Sequence, residues 1–570
     1  MNFIKQKPGL FICICSLLFL FLLNLPLNLS VSCANENQGL AFTWGQALLR
    51  WHDLTYGRGL LYVLLNAIVL KIFGFNTWAI VGIHILETII LISIGVLLYL
   101  IVRKILKSDI YGAISVLFWI IFICTPIGKS GLVVEIASHY NLDEECLCVL
   151  FSLCSILCFL LSNFFENNQV SNPNIKEKIY SFLAGLFAVC SLMSKGNGAI
   201  LCIAIIVWLL QVYLFQREYF KSLKTHFVYC FLGIILSLSF FNFILYKLHG
   251  DLFLSWKNYF FVGNYSHNYL MSWRVFLKTI YMFMTRYTNS MSNFVLFFFA
   301  FLLFGIGLFN GCFKRNAQNP LAMFWSLISI WSFGNACVIM VPGDYQPYYY
   351  HLIWPSLAIV FVIGLHELFV LLKGKKIVIS FISALVVIFF INRIYLSLPS
   401  HYHLARALNV LSVFNQPQSF QDPVLPYKTS HFRPYQFLLA DAINIHLPDK
   451  NSTFYVLTFS ERGLTAFTPL TYIYSKRASP TTVDAGLLAV PTIIEMKLKV
   501  LKRDLSIRKP NILIVPKNIS LQPWQVEYLP PFLEWVKDLI RNNYRFENFF
   551  ELAVKGRQSE TFLVYRKIKK

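Results

Sequence analysis

A short set of ionisable side chains lies in or beside long apolar runs of this 570-residue chain: Glu36, Asp53, Arg58, Glu135, His139, Asp143, Glu144, Lys195, Arg286, Asp344 and His351. A charge at the centre of a bilayer costs at least about 2.5–3.5 kcal/mol, so such residues mark a functional site by default. The carboxylates can take a proton from an attacking group. Arg58, Lys195 and His351 can hold an anion or steady a leaving group that gains negative charge. Each residue also has a plainer reading. Glu36 suits a solvated loop, and Asp143 suits a helix start, where acids favour the dipole. Arg58 and Lys195 can snorkel to headgroups, His351 can be a satisfied interfacial histidine, and Tyr348, Tyr349 and Tyr350 can form an aromatic belt.

The elements that must position these residues follow from composition. Hydrophobic residues make up 57% of the chain, aromatic residues 17% and charged residues only 13%, with a mean hydropathy of +0.60. A soluble domain carries about 25% charged residues, which excludes an ordinary cytosolic enzyme, and the aromatic content excludes a disordered or collagen-like chain. The net charge of +22 does not point to nucleic acid. The basic residues fall in short clusters between apolar runs (Lys5/Lys7, Arg103/Lys104/Lys107, Lys176/Lys178, Arg217/Lys221/Lys224, Lys314/Arg315 and Lys373/Lys375/Lys376), the pattern of cytoplasmic loops and not of a phosphate groove.

Runs of about 20 apolar residues predict spans near 9–31, 77–102, 110–127, 144–164, 179–194, 197–216, 227–247, 293–313, 321–341, 352–372 and 377–396. The fold class expected is mainly α: a polytopic helical membrane protein with about eleven transmembrane helices and a small C-terminal extracytoplasmic α/β domain. The division is 1–396 for the membrane domain and 397–570 for the terminal domain. Basic clusters inside place Met1 in the cytoplasm and everything after about Leu396 outside, in a plasma (inner) membrane. The first run ends in Ser32-Cys33-Ala34, as a cleavable signal does, but its length favours a retained span.

Three segments stay outside: Val31 to about Asn76, Gly128 to about Asp143, and Gly250 to about Ser292. The first contains helix-period apolar residues (Leu40, Trp44, Ala47, Leu48, Trp51, then Leu60, Leu61, Leu64, Leu65, Ile68) suited to amphipathic helices along the membrane face. All 13 cysteines lie at or before Cys337, mostly within apolar runs, where thiols act as small hydrophobes; neither a disulfide framework nor a zinc site is expected. After Ser397 charges and prolines become frequent. Phe454–Leu457 and Asn511–Val515 suggest strands, and Arg433–Asn444, Ile493–Leu505 and Pro530–Asn543 suggest helices.

Several local patterns fall in a consistent order. The first loop holds Asn35-Glu36-Asn37, then Ala47-Leu48-Leu49, Tyr56-Gly57-Arg58-Gly59-Leu60-Leu61-Tyr62 and Ile72-Phe73-Gly74. Tyr140-Asn141-Leu142-Asp143 opens the fourth span, Ser194-Lys195-Gly196-Asn197-Gly198 breaks the fifth from the sixth, and Tyr348-Tyr349-Tyr350-His351 precedes Trp354-Pro355. Trp256, Tyr259, Asn264 and Tyr265 add a weaker match in the loop after span seven. Together these resemble the GT-C membrane glycosyltransferases, in particular family 39, which includes the protein O-mannosyltransferases and the lipid A aminoarabinose transferases. Two departures stand. Glu36 is a lone acid where the family shows Asp-Glu or Asp, and Gly59-Leu60 replaces a pair of prolines, so Asp53 remains a second reading of the loop acid.

The resemblance implies an enzyme that moves a sugar from a polyprenyl-phosphate donor to a glycan, lipid or protein acceptor on the outer face, with inversion. Glu36 would be the base, and Arg58 with Lys195 or His351 would hold the donor phosphate. Asp143 would orient the acceptor or support the base. Glu144 or Glu145 can replace Asp143, since one helix cannot point all three acids the same way, and Asp53 and Tyr349 would support the acceptor side. Some relatives use a divalent metal, which Glu36 and Asp143 could hold. An O-antigen ligase or polymerase, a transporter, and a non-catalytic binder of lipid-linked sugar remain competing classes. The topology has a direct check: reporter fusions at Lys224 and Asp449 are expected to report the cytoplasm and the outside respectively, and both on one side would overturn it.

Overall fold

The computed structural model describes residues 7–28, 42, 44–49, 59–123, 144–165, 173–215, 217–249, 252–257, 302–307, 309, 320–340, 351–375, 377–380, 383–384, 387–388, 435–447, 449, 452–457, 471–472, 475–477, 479–481, 494–518, 529–552 and 560–568. Two compact units emerge. The first comprises Met1–Asn28, Leu86–Ile244 and Tyr269–Leu408, and the second Leu29–Ile85, Leu245–Asn268 and Asn409–Lys570.

The apolar runs become helices: α1 (Pro8–Asn28), α2 (Leu60–Phe73), α3 (Thr77–Leu106), α4 (Asp109–Ile123), α5 (Glu144–Leu161), α6 (Ile175–Ser194), a 3-10 turn (Gly196–Gly198), α7 (Ala199–Phe215), short α8 (Arg217–Ser222), α9 (Lys224–His249), short α10 (Leu252–Lys257), α11 (Pro320–Met340) and α12 (Trp354–Leu371). Among the described residues six helical segments are long and apolar enough to cross a membrane: Trp78–Leu106, Glu144–Leu161, Ile175–Ser194, Gly196–Phe215, Lys224–Lys247 and Trp354–Leu371. Pro8–Leu22 and Asp109–Ile120 are shorter apolar helices at two further expected positions, and α11 covers a third. Most of the expected spans at 293–313 and 377–396 lies outside the described residues. The chain is an integral membrane protein, and its lipid-facing surface is visible where large apolar side chains stay exposed, as at Ile206 and Leu210 of α7 and Phe231 and Leu236 of α9.

Within the first unit the helices meet through small and polar side chains, as expected where lipid is as apolar as leucine. Ser152 and Ser191 share a hydrogen bond of 2.8 Å between α5 and α6, and Ser155 donates to the Ala184 carbonyl at 2.8 Å. Ser191 also donates to the Cys148 carbonyl at 2.9 Å. With its single proton so committed, the Ser191 oxygen accepts from Ser152 and from the Cys148 thiol, 3.3 Å away. Trp208 of α7 donates to the Met323 carbonyl of α11 at 3.0 Å, and Asn335 of α11 donates to the Leu352 carbonyl at the entry to α12 at 3.0 Å. Aromatic pairs Phe118–Phe361 and Tyr111–His366 join α4 to α12.

The second unit contains α13 (Tyr435–His446), β1 (Phe454–Val456), α14 (Ile494–Arg508), β2 (Ile512–Pro516), α15 (Pro530–Asn543), β3 (Tyr544–Leu552) and β4 (Glu560–Lys567). The strands form one sheet in the order β1-β2-β4-β3. β1 and β2 are parallel, while β2 with β4 and β3 with β4 are antiparallel. Alternation sends successive residues to opposite faces. Phe454, Val456, Ile512 and Ile514 pack with Leu439 and Ile443 of α13. Tyr455, Leu457 and Leu513 pack with Leu501 and Leu505 of α14 and Phe532 and Val536 of α15. Both faces of β1 and β2 are covered, so these two strands are apolar throughout. At the β3 edge the ladder shifts register between Phe546 and Asn548. Buried Arg477 closes the end of α13, donating to the carbonyls of Leu447 and Asp449 and, at 3.0 Å, of Ser452.

This unit also draws in part of the first loop. Phe75 packs against the α13 side of the sheet, and the Ser479 N–H donates to the buried Gln46 carbonyl oxygen at 3.2 Å. The Ser479–Thr481 turn is tied to α14, since Thr481 donates to Asp504 at 2.8 Å and Arg508 donates to the Pro480 carbonyl at 2.9 Å. Asp504, 1% exposed, also meets Arg503 at 2.9 Å and Arg508 at 3.2 Å. Removing one partner of a buried charged network leaves the others unsatisfied. Asp504→Ala is therefore expected to destabilise the purified protein by about 1–3 kcal/mol in thermal unfolding. Lys537→Ala, which breaks a solvent-exposed pair with Glu534, should stay within about 0.5 kcal/mol of the parent.

Candidate functional site

The described part of the site lies where α5 begins and α6 ends. Glu144 and Glu145 occupy the first turn of α5, where the helix dipole favours negative charge, and both are buried. Fifty residues on, α6 stops at Ser194, and Lys195 takes an extended backbone, φ −158° and ψ 146°. The Lys195 N–H still bonds to the Ser191 carbonyl at 3.3 Å, and the Gly198 N–H turns back to the Lys195 carbonyl at 2.8 Å. Glycine is required at 198, because a Cβ there would sit 2.3 Å from the Ser191 carbonyl. The Gly-Asn-Gly sequence thus makes a tight turn that presents Lys195 at the mouth of the helix pair.

Lys195 Nζ forms a hydrogen-bonded ion pair with Glu145 Oε1. The Glu145 side chain is 1% exposed and that of Lys195 20%, so the carboxylate is sequestered while the ammonium keeps contact with its surroundings. Among the described residues the second oxygen, Glu145 Oε2, has no hydrogen-bond partner. His351 stands in the turn ahead of Trp354-Pro355, where the proline opens α12. Burial pushes the His351 imidazole down to about 4, against the opposing pull of the Glu145 charge. At neutral pH it is an uncharged ring that can donate one hydrogen bond and accept another.

Of the residues singled out from sequence, Glu144, Glu145, Lys195 and His351 are described; the structure pairs Lys195 with Glu145, and the charge of Glu145 acts on His351. Glu36, Asp53, Arg58, Asp143 and Tyr349 lie outside the described residues, as do Glu135, His139, Arg286, Asp344, Tyr259, Asn264 and Tyr265; Trp256 falls in α10. The pairing of Glu145 with Lys195 was not legible in advance. The only signal was a run of three adjacent acids at a predicted helix start, and nothing local ties one of them to a lysine 50 positions away.

No protein-family model matches the chain, and no curated protein sequence does. Solved structures do match. The archaeal oligosaccharyltransferase AglB from Archaeoglobus fulgidus, in complex with an inhibitory peptide and a dolichol-phosphate, aligns with 99% of this chain and 75% of its own at 13% identity, with a TM-score of 0.52. A second structure of the Archaeoglobus fulgidus oligosaccharyltransferase, tethered with an acceptor peptide containing the NVT sequon, aligns with 100% of this chain and 75% of its own at 12% identity, with a TM-score of 0.49. The first of these matches shows a GT-C-like fold. This chain has a fold similar to that of AglB, a GT-C membrane glycosyltransferase.

The ion pair carries its own test. Lys195→Met strands a buried carboxylate and is expected to cost about 3 kcal/mol, the low end for a broken buried pair, because Lys195 is partly exposed. Adding Glu145→Gln should recover most of that loss in thermal unfolding. Additive losses in the double variant would mean that the two groups are not coupled.

Proposed function

We propose that the chain is a membrane glycosyltransferase that transfers a sugar from a polyprenyl-phosphate-linked donor to an acceptor on the outer side of the membrane, with inversion at C1. The observation that carries this reading is the Lys195–Glu145 pair beside His351 on a GT-C fold. Lys195 supplies the kind of cation that glycosyl transfer needs at a leaving phosphate, and Glu145 holds it at the helix mouth. The dolichol-phosphate in the AglB complex supports a lipid-linked phosphate as the donor class.

In this reading Glu36 accepts the proton of the acceptor hydroxyl as its oxygen attacks C1 from the face opposite the leaving group. The bond from C1 to the phosphate oxygen breaks, and the leaving phosphate is met by the charges of Arg58 and Lys195. Lys195 has three N–H donors, so pairing with Glu145 and contact with a phosphate are compatible. His351, neutral at working pH, donates a hydrogen bond and adds no charge. Asp143 orients the acceptor or supports the base, with Asp53, Glu144 and Tyr349 on the acceptor side. Divalent metal use would rest on Glu36 and Asp143, which lie outside the described residues; among the described residues no group of three or more His, Cys, Asp or Glu is placed to hold an ion. Met1 is taken as cytoplasmic and residues 397–570 as an extracytoplasmic domain in a plasma (inner) membrane. The contact of Gln46 with Ser479 and of Phe75 with the α13 face supports one shared side for the first loop and that domain.

Transfer of radiolabel from a polyprenyl-phosphate sugar to an acceptor tests the proposal. Glu36→Gln keeps the shape and loses only the ability to take a proton, so turnover should fall about 10²–10⁴-fold with donor binding nearly intact. Asp143→Asn should lose less. Arg58→Ala should weaken the apparent donor affinity about tenfold to a hundredfold. Retained turnover in Glu36→Gln with loss in Asp53→Asn would move the base to Asp53. Full activity in all three acid variants would overturn the site. Donor binding without any transfer would make the chain a binder of lipid-linked sugar, and movement of the donor across the bilayer without an acceptor would make it a transporter.

A further inference from the structure

A groove of about 510 Å³ runs between the first turns of α6 and the first half of α9, on the lipid-facing side of the first unit. Its volume lies in the range of ligand sites, about 300–1,000 Å³. Its origin is a backbone crossing. A Cβ at Gly185 would lie 2.0 Å from the Cys230 carbonyl oxygen, and one at Gly233 would lie 2.1 Å from the Phe182 carbonyl oxygen. The helices therefore touch main chain to main chain, and the cleft opens beside that contact. Ile179 and Phe182 of α6 and Leu232 and Ile235 of α9 line the cleft, with Lys178 and Tyr229 at its mouth.

Two features separate this cleft from an ordinary lipid-facing surface. The first is its depth in the membrane. The lining runs from Ile175 to Phe182 on α6 and from Tyr229 to Ser239 on α9, about 10–15 Å at 1.5 Å per residue, close to half of a hydrocarbon core about 30 Å thick. The second is the charge at the mouth. Lys178 Nζ stands 5.7 Å from the centre of the Tyr229 ring. Lys176 belongs to the same first turn and a half of α6, while Lys221 and Lys224 stand at and just before the start of α9. Glu177, the acid nearest in sequence, is engaged elsewhere, accepting from the Asn174 N–H at 2.8 Å and from the Asn163 amide at 2.8 Å. His226, at the same end, is engaged with Ser181 at 2.8 Å.

We infer that this cleft is a binding site for an anionic phospholipid of the leaflet on the Lys176/Lys178 side: one acyl chain fills the groove, and the phosphate sits on Lys178 against Tyr229. A chain confined to one leaflet matches the length of the groove, and a basic mouth selects an anionic headgroup over a zwitterionic one. The site does not depend on the transfer reaction.

Native mass spectrometry of the full chain, released from vesicles of equal phosphatidylglycerol and phosphatidylethanolamine, tests it. The parent protein should retain phosphatidylglycerol in preference to phosphatidylethanolamine. Lys178→Gln should lower that preference about fivefold, Lys178→Arg should keep it, and Leu232→Trp, which fills the groove, should lower retention of both lipids. Equal retention of the two lipids by the parent, or an unchanged preference in Lys178→Gln, would overturn the inference. If Lys178→Gln fails to give a monodisperse protein, Tyr229→Leu reads the same mouth, and an unchanged preference there overturns it too.

Discussion

Hydrocarbon offers no hydrogen bonds, so every polar atom carried into the membrane part of this chain must find its partner within the protein. The contact between α5 and α6 shows how that requirement organises the structure. Ser152, Ser155 and Ser191 are buried and bonded across the helix pair, and their small side chains allow the close approach. That approach fixes where the end of α6 falls relative to the start of α5, and so which acid Lys195 can reach. The ion pair is the outermost rung of a ladder of interhelical polar contacts whose inner rungs are serines.

The second unit obeys a different rule. Its strands β1 and β2 are apolar on both faces because helices cover both, and its buried charges, Arg477 and Asp504, are surrounded by carbonyls, a hydroxyl and guanidinium groups. The same network reaches Gln46 through Ser479. A segment flanked by Glu36 and Asp53 is thereby held by residues more than 400 positions away, which gives the terminal segment a mechanical part in shaping the first loop without any catalytic motif of its own.

Much of the helical framework could be read from residue pattern, because a membrane span needs only length and hydropathy. Glu144–Leu161 and Ile175–Ser194 emerge within a few residues of the runs that predict them, and Pro530–Asn543 coincides with its prediction, its two prolines fixing the start. β1 and β2 were legible as short apolar runs for the same reason. β3 was not: Tyr544–Leu552 mixes Arg545, Glu547 and Glu551 with phenylalanines, and its register shift breaks the alternation that identifies a strand. In the site, the Lys195 break was legible because Gly-Asn-Gly cannot continue a helix. Its pairing was not, since Asp143, Glu144 and Glu145 are chemically alike and only the rotation of α5 against α6 selects one of them.

The irregularity in β3 has a consequence beyond its local geometry. Among the described residues β3 is one border of the sheet, nine residues long, with Phe546 and Phe549 more than half exposed. A flat border of that length could zip onto the same border of a neighbouring molecule, and proteins crowded in the plane of a membrane meet one another constantly. The shift between Phe546 and Asn548 puts a kink in the row of donors and acceptors, and Arg545, Glu547 and Glu551 surround it with charge, devices that keep such borders from templating one another. The defect in the strand acts as insulation along this border.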